Sequence, residues 1–282
     1  MKNNKQLEGK VALVTGASSG IGRTTALALA ASGMHVFLAC RSEAKAQPVL
    51  DEINNANNGK GKAEFLPLEL GDLDSVRRCA SLFLERKLSL HLLVANAGLA
   101  GQKGMTDSGF ELAFGTCHVG HFLLTKLLLD TLKQSAPSRI VVVSSQAHRQ
   151  AKGVDFTAVR NPTVSSVGLK EYAVAKLANV LFASELARRL EGTGVTTYSL
   201  HPGVVASDVW RSVPWPFDRL MKFFMLNTDD GAKTTLYCAT SEETEKQSGL
   251  YYDDSKLVSA SKVAQDNALA EKLWKESEQW VG

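Results

Sequence analysis

A tyrosine and a lysine four residues apart form the pair whose spacing most suggests chemistry. Tyr172 and Lys176 fall in a segment with helical periodicity, so both side chains should lie on one face of a helix. An ammonium about 5 Å from a phenol, at an effective dielectric near 20, favours the phenolate by roughly 3 kcal/mol, or about two pKa units. Such a phenol can exchange a proton with a carbonyl or an alcohol. The alternative is a tyrosine and a lysine at a common helical spacing with no chemical role.

A serine and a glycine-rich turn are the other candidate chemical features. Ser145 follows an apolar run and precedes a long loop, where its hydroxyl can orient a substrate oxygen or simply serve the turn. Gly16, Gly20 and Gly22 follow the apolar run Val11–Val14 and open a helical pattern. They let the backbone turn sharply and expose the helix N–H groups to a phosphate. The spacing Gly-x3-Gly-x-Gly differs from the longer Gly-x-Gly-x-x-Gly fingerprint, so a plain strand–turn–helix is the alternative.

The residue after the second predicted strand bears on the choice of nucleotide. NAD-binding folds usually carry an acidic residue there, which accepts hydrogen bonds from the ribose 2′-hydroxyl. Here Cys40 is followed by Arg41. A carboxylate would repel a 2′-phosphate of about −1.5 to −2 charge, whereas a guanidinium can pair with it through two parallel hydrogen bonds. Arg41 therefore favours NADP(H), with a solvated surface arginine as the alternative; Arg23 and Lys45 can add positive field.

Composition excludes several classes of protein. The chain has 282 residues, 44% of them hydrophobic and 22% charged, which is ordinary for a globular protein. A net charge of +3 without a basic run argues against nucleic-acid binding. The four cysteines lack metal spacing and suggest a reducing compartment, so a cytoplasmic protein is expected. His118 and His121 lie three residues apart without a third ligand, so no metal site is predicted.

Apolar runs alternate with helical patterns almost to the end of the chain. This alternation predicts one α/β domain over residues 1–282 with a doubly wound, mostly parallel sheet and helices on both faces. The seven or so predicted strands are Val11–Val14, Val36–Ala39, Ala63–Leu68, His91–Ala95, Ile140–Val143, Thr196–Leu200 and Leu250–Tyr252. The first predicted helix starts at Ile21, and the second is capped by Ser42 and reaches about Asn54. The others span about Leu73–Arg86, Ser108–Gln134, Leu169–Leu190, Asp229–Ala239 and Ala264–Trp280.

Three segments are predicted to lie outside this alternation. Residues 1–8 form a polar tail, and residues 146–166 and 208–227 flank the expected site as loops or a lid. The segment Val209–Leu226 is apolar, but its charges and two prolines exclude a spanning helix, which leaves at most weak association with a membrane surface. Its aromatic residues favour a lipophilic mouth and an apolar substrate, although such residues often only pack on the sheet: Trp210, Trp215, Phe217, Phe223 and Phe224.

The candidate residues together resemble the short-chain dehydrogenase/reductase superfamily, in order and over the whole length. The motifs that carry the resemblance are Thr15-Gly-x3-Gly-Ile-Gly22, Asn96-Ala-Gly98, Ser145, Tyr172-x3-Lys176 and Pro202-Gly203. Closer phrases resemble its retinol dehydrogenase-like branch: Ala39-Cys40-Arg41, Gly120-His121-Phe122-Leu123-Leu124, Lys176-Leu177-Ala178-Asn179-Val180-Leu181-Phe182 and Leu200-His201-Pro202-Gly203-Val204-Val205.

This resemblance implies roles for the individual residues. Tyr172 is expected to donate or accept the proton, Lys176 to lower the pKa of Tyr172 and hold the nicotinamide ribose, and Ser145 to bond the reacting oxygen. Asn96 and Gly98 are expected to line the adenosine side, and Val205 and Ser207 to approach the nicotinamide amide. The full set expected to bind NADP(H) is Gly16, Ser18, Ser19, Gly20, Ile21, Gly22, Arg41, Glu69, Leu70, Asn96, Ala97, Gly98, Tyr172, Lys176, Pro202, Gly203, Val205 and Ser207.

The sequence departs from the branch pattern at three points. Cys117 stands where the branch usually carries an Asn that helps to hold a water in the proton path, and a thiol bonds weakly. Glu69 replaces an Asp that usually meets the adenine. The N-terminal membrane anchor of many animal members has no counterpart in residues 1–8, so a soluble member is expected.

These features predict an NADP(H)-dependent oxidoreductase that acts on a carbonyl or alcohol of a bulky apolar compound such as a retinal-like aldehyde. A catalytically weak NADP(H)-binding sensor or scaffold is the first alternative, and Cys117 is the one feature that favours it. A nucleotide-sugar epimerase or dehydratase is the second, but the chain lacks room for its larger C-terminal domain. The family commonly pairs through its two long central helices, which implies a homodimer or homotetramer.

Overall fold

Eight strands form one sheet in the computed structural model, which describes residues 7–56, 60–203 and 228–282. The sheet order is β3-β2-β1-β4-β5-β6-β7-β8; the first seven strands run parallel, and β8 is antiparallel to β7. The strands are β1 Val11–Thr15, β2 His35–Cys40, β3 Lys62–Pro67, β4 Leu92–Ala95, β5 Ser138–Val143, β6 Val195–His201, β7 Leu250–Asp253 and β8 Lys256–Leu257.

The seven parallel strands confirm the predicted doubly wound sheet. Every residue of β1, β2 and β4 is buried, because helices cover both faces of a parallel sheet. The eighth strand was not predicted. It has two exposed residues, and it is formed by a tight turn in which Asp254 and Ser255 adopt positive φ angles of 48° and 57°. No apolar run marks such a strand.

Seven helices of twelve or more residues cover the sheet in the described part of the chain. They are α1 Gly20–Ala31, α2 Glu43–Ala56, α3 Leu73–Leu84, α4 Leu112–Gln134, α5 Leu169–Arg189, α6 Thr228–Thr240 and α7 Asn267–Val281.

Two predicted helix starts were too early, and side-chain caps explain both. The helix expected from Ser108 begins at Leu112, where the Glu111 carboxylate accepts a hydrogen bond from the Phe114 amide at 2.8 Å. The helix expected from Ala264 begins at Asn267, where the Asp266 carboxylate accepts from two backbone amides at 2.9 and 3.0 Å. In each case the capping residue satisfies N–H groups that the first turn leaves free.

Helix α4 contains a π-helical turn over Gly115–Val119. The whole helix is long and apolar enough to cross a membrane by length and composition, with a mean hydropathy of 1.4 over its most apolar window. However, 72% of that window is buried inside the fold. The apolar character of α4 is therefore accounted for by its place in the core. The π turn includes Cys117, which is one of the departures from the branch pattern.

The sheet order reverses at β1, since β2 and β4 flank it on opposite sides. In an open α/β sheet, the crevice for a ligand lies at the carboxyl ends of the strands near such a reversal. Among the candidate residues, Gly16 directly follows β1 and Asn96 directly follows β4. Ser145 comes two residues after β5. The fold therefore brings together residues that are far apart in the sequence.

The C-terminal helix α7 packs across α4 and α5. The Trp274 ring lies 5.0 Å from Phe122 and 6.0 Å from Phe182, measured between centroids. The Arg189 guanidinium lies 4.4 Å from the centre of the same ring. These contacts cover part of the two long helices with the chain's own C-terminus. The covered faces are not free to contact a second copy, and the homodimer or homotetramer stays a prediction.

We expect Trp274→Ala to lower the free energy of unfolding by about 3–5 kcal/mol, because it removes a large buried ring from the junction of three helices. Gln279→Ala is the matched control, since Gln279 lies on the exposed side of α7. It should change stability by less than about 0.5 kcal/mol. Urea unfolding followed by circular dichroism measures both. Equal stability of the two variants would contradict the packing role of Trp274.

Candidate active site

A cleft of about 1290 Å³ runs along the carboxyl ends of the strands. All predicted catalytic and cofactor-binding residues that the structure describes line it. Val205 and Ser207 lie outside the described residues, as does the predicted lid at 208–227. The other predicted lid, residues 146–166, contributes Gln146, Ala147, Arg149 and Gln150 to the lining. The residues brought together are Gly16, Ser18, Ser19, Gly20, Ile21, Gly22, Arg41, Glu69, Leu70, Asn96, Ala97, Gly98, Ser145, Tyr172, Lys176, Pro202 and Gly203.

The β1–α1 turn leaves no room for side chains at its glycines. A Cβ atom on Gly22 would lie 2.5 Å from the Gly16 carbonyl oxygen and 2.6 Å from the Asn96 amide nitrogen. Gly16 itself has a φ of 68°, which L side chains rarely adopt. The hydroxyl of Ser19, at the N-cap of α1, makes no capping bond. The bare turn, the unused hydroxyl and the start of a twelve-residue helix together fit the phosphates of a dinucleotide.

Thr15 and Asn96 join this turn to the end of β4. The Thr15 hydroxyl oxygen accepts hydrogen bonds from the backbone amides of Asn96 and Ala97, both at 2.9 Å. The Asn96 side-chain amide donates to the Thr15 carbonyl at 2.8 Å. Asn96 therefore lines the cleft as predicted, but its amide group already serves the backbone. Its contribution is to hold the glycine turn in place.

His121 extends the same network to the π turn of α4. Its Nδ1 lies 2.9 Å from the Cys117 carbonyl oxygen, and its Nε2 lies 2.8 Å from the Thr15 hydroxyl. Because a carbonyl can only accept, Nδ1 must carry the proton and Nε2 accepts from Thr15. Burial lowers the pKa of His121 to about 4, so the ring is neutral. His118, three residues earlier, does not join this network; its Nε2 lies 3.0 Å from the Ser277 hydroxyl oxygen.

Tyr172 and Lys176 lie on one face of α5 beside Ser145, as their spacing predicted. The Lys176 ammonium is buried and donates a 2.9 Å hydrogen bond to the Val143 carbonyl. It lies 5.5 Å from the centre of the Tyr172 ring. Ser145 comes from a different element, since it lies two residues after β5, where its backbone is extended. A phenol, an ammonium and a hydroxyl therefore meet at one point of the cleft.

Burial, and not the neighbouring ammonium, dominates the acidity of Tyr172. Desolvation raises the pKa of Tyr172 above its usual value, since the charged phenolate is disfavoured away from water. The Lys176 charge and the Ser145 hydroxyl lower that pKa, as expected, but they do not outweigh burial. The expectation of a net lowered pKa is therefore wrong for the protein alone. Tyr172 is held as a protonated phenol, which is the form that donates a proton.

Arg41 lies at the mouth of the cleft, where β2 and β3 end. Its Nη1 is 3.6 Å from the Glu69 carboxylate, and its side chain is 63% exposed. Such an exposed ion pair is worth about 0–1 kcal/mol, so Arg41 can turn toward a ligand at little cost. Lys45 also lines the cleft. Arg23 does not line it and pairs with Glu52 instead.

Similar sequences show the family to which the chain belongs. A family model described as short chain dehydrogenase matches residues 10–215. The chain belongs to the short-chain dehydrogenase family. Human retinol dehydrogenase 12 is 43% identical over 284 residues, covering 100% of this chain and 89% of that protein. Bovine dehydrogenase/reductase SDR family member 13 is 44% identical over 282 residues, covering 98% of this chain and 74% of that protein.

Solved structures agree with this assignment. The crystal structure of an uncharacterised protein from Mycobacterium paratuberculosis matches this short-chain dehydrogenase with a TM-score of 0.77 and 30% identity. The match covers 98% of this chain and 94% of that one. Family membership and the retinol dehydrogenase relatives confirm an oxidoreductase of the retinol dehydrogenase-like branch. They also imply a nicotinamide cofactor, and the bare glycine turn fits one.

Several residues that line the cleft of this short-chain dehydrogenase were not predicted from the sequence. Most of them come from segments that carry no motif, and only their assembly at the sheet edge reveals them. The main ones are Gln102, Met105, Leu112 and His201. His201 could have been found, because it directly precedes the predicted Pro202-Gly203 pair.

Cys117 lies near Lys176, one of the predicted catalytic residues. Its side chain is fully buried, with the sulfur 3.9 Å from the Leu99 carbonyl oxygen. A Cβ atom placed on Gly98 would lie 3.2 Å from this sulfur and 3.3 Å from the Lys176 ammonium. The thiol and the ammonium therefore flank the same glycine. A better hydrogen-bonding group at position 117 would stand directly beside Lys176.

We expect Cys117→Asn to raise kcat by about fivefold, because an amide bonds its neighbours better than a thiol by about 1 kcal/mol. Cys117→Ala is the control, and it should leave kcat within about threefold of the original if the thiol has no role of its own. Steady-state kinetics with a carbonyl substrate measure both. A fall in kcat for Cys117→Asn would mean that the site is built around the thiol.

Proposed function

We propose that this short-chain dehydrogenase transfers a hydride between NADP(H) and the carbonyl or alcohol carbon of a bulky apolar compound. The observation that carries the proposal is the meeting of Tyr172, Lys176 and Ser145 in the cleft, next to the glycine turn. When bound, the nicotinamide supplies or accepts the hydride. Gly16, Gly22 and the start of α1 would hold its phosphates, and Lys176 would hold the nicotinamide ribose.

The protein's own contribution is to position and exchange one proton. Tyr172 is a buried, protonated phenol, so it can donate its proton to the oxygen of a carbonyl that is being reduced. The Ser145 hydroxyl can bond the same oxygen and hold it beside the phenol. The buried ammonium of Lys176 stabilises the phenolate that remains, because opposite charges attract strongly where water is excluded. In alcohol oxidation, the same groups act in the reverse order.

The preference for NADP(H) rests on charge at the mouth of the cleft. Arg41 and Lys45 line that region, and a 2′-phosphate would add an anion there. A guanidinium bonds a phosphate through two parallel hydrogen bonds, and the exposed pairing with Glu69 costs little to rearrange. Glu69 remains beside the adenosine region.

The proposed substrate class rests on apolar residues that line the cleft. Leu99, Met105 and Leu112 contribute apolar surface there, and Met105 is 40% exposed. Apolar walls with a few convergent polar groups are typical of sites for apolar small molecules. Relatives named retinol dehydrogenase share 42–44% identity with this chain. A retinal-like aldehyde or a bulky ketone is therefore the proposed substrate.

The first experiment is a substrate panel with the purified protein. Oxidation of NADPH is followed with apolar aldehydes and ketones, including retinal, and NADH is tested in parallel. We expect turnover with NADPH on at least one apolar carbonyl. Tight NADPH binding without turnover on any compound would overturn the reductase proposal and favour a cofactor-binding sensor.

Tyr172→Phe should lower kcat by about 10²–10⁴-fold, because positioned proton transfer contributes about that much. The dissociation constant for NADPH should stay unchanged, since the ring and its packing remain. Tyr237→Phe is the matched control; the Tyr237 hydroxyl bonds Glu243 at 2.8 Å and does not line the cleft. Near-normal turnover by Tyr172→Phe would exclude Tyr172 as the proton donor.

Arg41→Asp should lower the NADPH/NADH ratio of kcat/KM by about 100-fold, because hydrogen bonds to a charged group are worth about 1.5–3 kcal/mol. Arg23→Asp makes the same change of charge on a nearby arginine that does not line the cleft. The control should leave the ratio within about threefold of the original. Equal changes of the ratio in the two variants would show that only the overall electrostatic field matters. An unchanged ratio in Arg41→Asp would contradict the pairing of Arg41 with the 2′-phosphate.

A further inference from the structure

The buried histidine His148 lies next to the cleft, and the proposed chemistry does not use it. His148 is 0% exposed and lies in a short 3₁₀ helix, Gln146–Gln150, that directly follows Ser145. Its Nδ1 lies 2.7 Å from the Ser145 carbonyl oxygen. Its Nε2 lies 3.1 Å from the backbone amide of Ser261, which belongs to a distant part of the chain. The ring thus bridges Ser145 and the segment before α7.

The two partners determine the state of this ring. The Ser145 carbonyl can only accept a hydrogen bond, and the Ser261 N–H can only donate one. The imidazole must therefore be neutral, with its proton on Nδ1. Burial lowers the pKa of His148, and the nearby Arg149 charge acts in the same direction. The bond to the Ser145 carbonyl opposes this shift. A neutral ring with one donor and one acceptor satisfies both backbone groups.

Other contacts hold the ring from its sides and tie the same two segments together. The Tyr251 ring on β7 meets His148 edge to face, with 4.8 Å between centroids. Arg149 donates a 2.7 Å hydrogen bond to the Ser259 carbonyl, and Gln146 donates a 2.9 Å bond to the Asp253 carboxylate. The start of the loop after β5 is thus attached to residues 253–261, and His148 is the attachment that reaches Ser145 itself.

We infer that His148 is a positioning residue, whose neutral imidazole holds the Ser145 backbone and so places the Ser145 hydroxyl beside Tyr172. The His148 backbone amide also donates to the Ser145 carbonyl at 3.1 Å, and the Ser145 hydroxyl accepts from the Ala147 amide at 3.2 Å, so the imidazole completes the set of bonds that orient Ser145. The inference rests on the proposed function, because it needs Ser145 to bond the reacting oxygen. A displacement of about 1 Å at such a group can cost about 100-fold in rate. His148 acts through Ser145 and does not touch the substrate oxygen.

Two amide substitutions separate the two bonds of the ring. The side-chain nitrogen of Asn can occupy the position of Nδ1, so His148→Asn keeps the bond to the Ser145 carbonyl. The longer Gln side chain reaches the position of Nε2, so His148→Gln keeps the bond to Ser261 and loses the side-chain bond to the Ser145 carbonyl, which still accepts from the backbone amide of residue 148. Both are polar and unbranched at Cβ, and we expect similar melting temperatures. We expect kcat within about threefold of the original for Asn and a fall of about 100-fold for Gln.

His91→Gln is the matched control for the glutamine substitution. His91 also bonds the backbone through its ring, since its Nδ1 accepts from the Val11 amide at 3.1 Å. It lies just before β4, at the end of the sheet opposite the cleft. This variant should leave kcat unchanged. The dissociation constant for NADPH should also stay unchanged in all three variants, because none of them alters the glycine turn.

A double-mutant cycle tests whether His148 acts through Ser145. We expect Ser145→Ala with His148→Gln to have the same kcat, within about threefold, as Ser145→Ala alone, because a displaced hydroxyl cannot matter once it is absent. Independent, multiplied losses would overturn the inference, as would equal kcat values for His148→Asn and His148→Gln. If the unaltered protein turns over no carbonyl on the panel, the proposed function fails and the inference fails with it.

Discussion

Close approach of backbone at the β1–α1 turn is the constraint on which the site depends. The Gly22 position touches both the Gly16 carbonyl and the Asn96 amide so closely that any side chain would force the segments apart. This contact brings the end of β4 against the start of α1, at the place where the sheet order reverses. The cleft and its bare glycine turn exist because these two ends meet without a side chain between them.

A chain of buried hydrogen bonds carries this arrangement into α4. It passes from the backbone of Asn96 through the Thr15 hydroxyl and the His121 ring to the Cys117 carbonyl in the π turn. The Thr15 hydroxyl and the His121 ring each accept from one neighbour and donate to the next, so the network has one arrangement. The backbone carbonyl of Cys117 thus accepts a hydrogen bond from His121. Its thiol has only a weak contact with the Leu99 carbonyl. His148 makes a similar link between backbone groups on the other side of the cleft.

Opposing effects on one phenol show why proximity alone is a poor guide to acidity. The helical spacing correctly placed Lys176 near Tyr172, and the ammonium does favour the phenolate. The same packing that brings them together removes water from the phenol, and desolvation is the larger effect. A protonated Tyr172 beside a buried cation suits a proton donor, which is the role required in carbonyl reduction.

The sequence by itself determined the parallel strands β1–β7, the glycine turn and the pairing of Tyr172 with Lys176, because apolar runs and helical spacing act over short distances. It did not determine the strand Lys256–Leu257, the starts of α4 and α7 or the packing of α7, since these depend on turns, caps and distant contacts. Only the tertiary structure decided that burial outweighs Lys176 at Tyr172 and that His148 joins Ser145 to Ser261. Partners more than a hundred residues apart leave no periodic mark in a sequence, because their contact is created by folding.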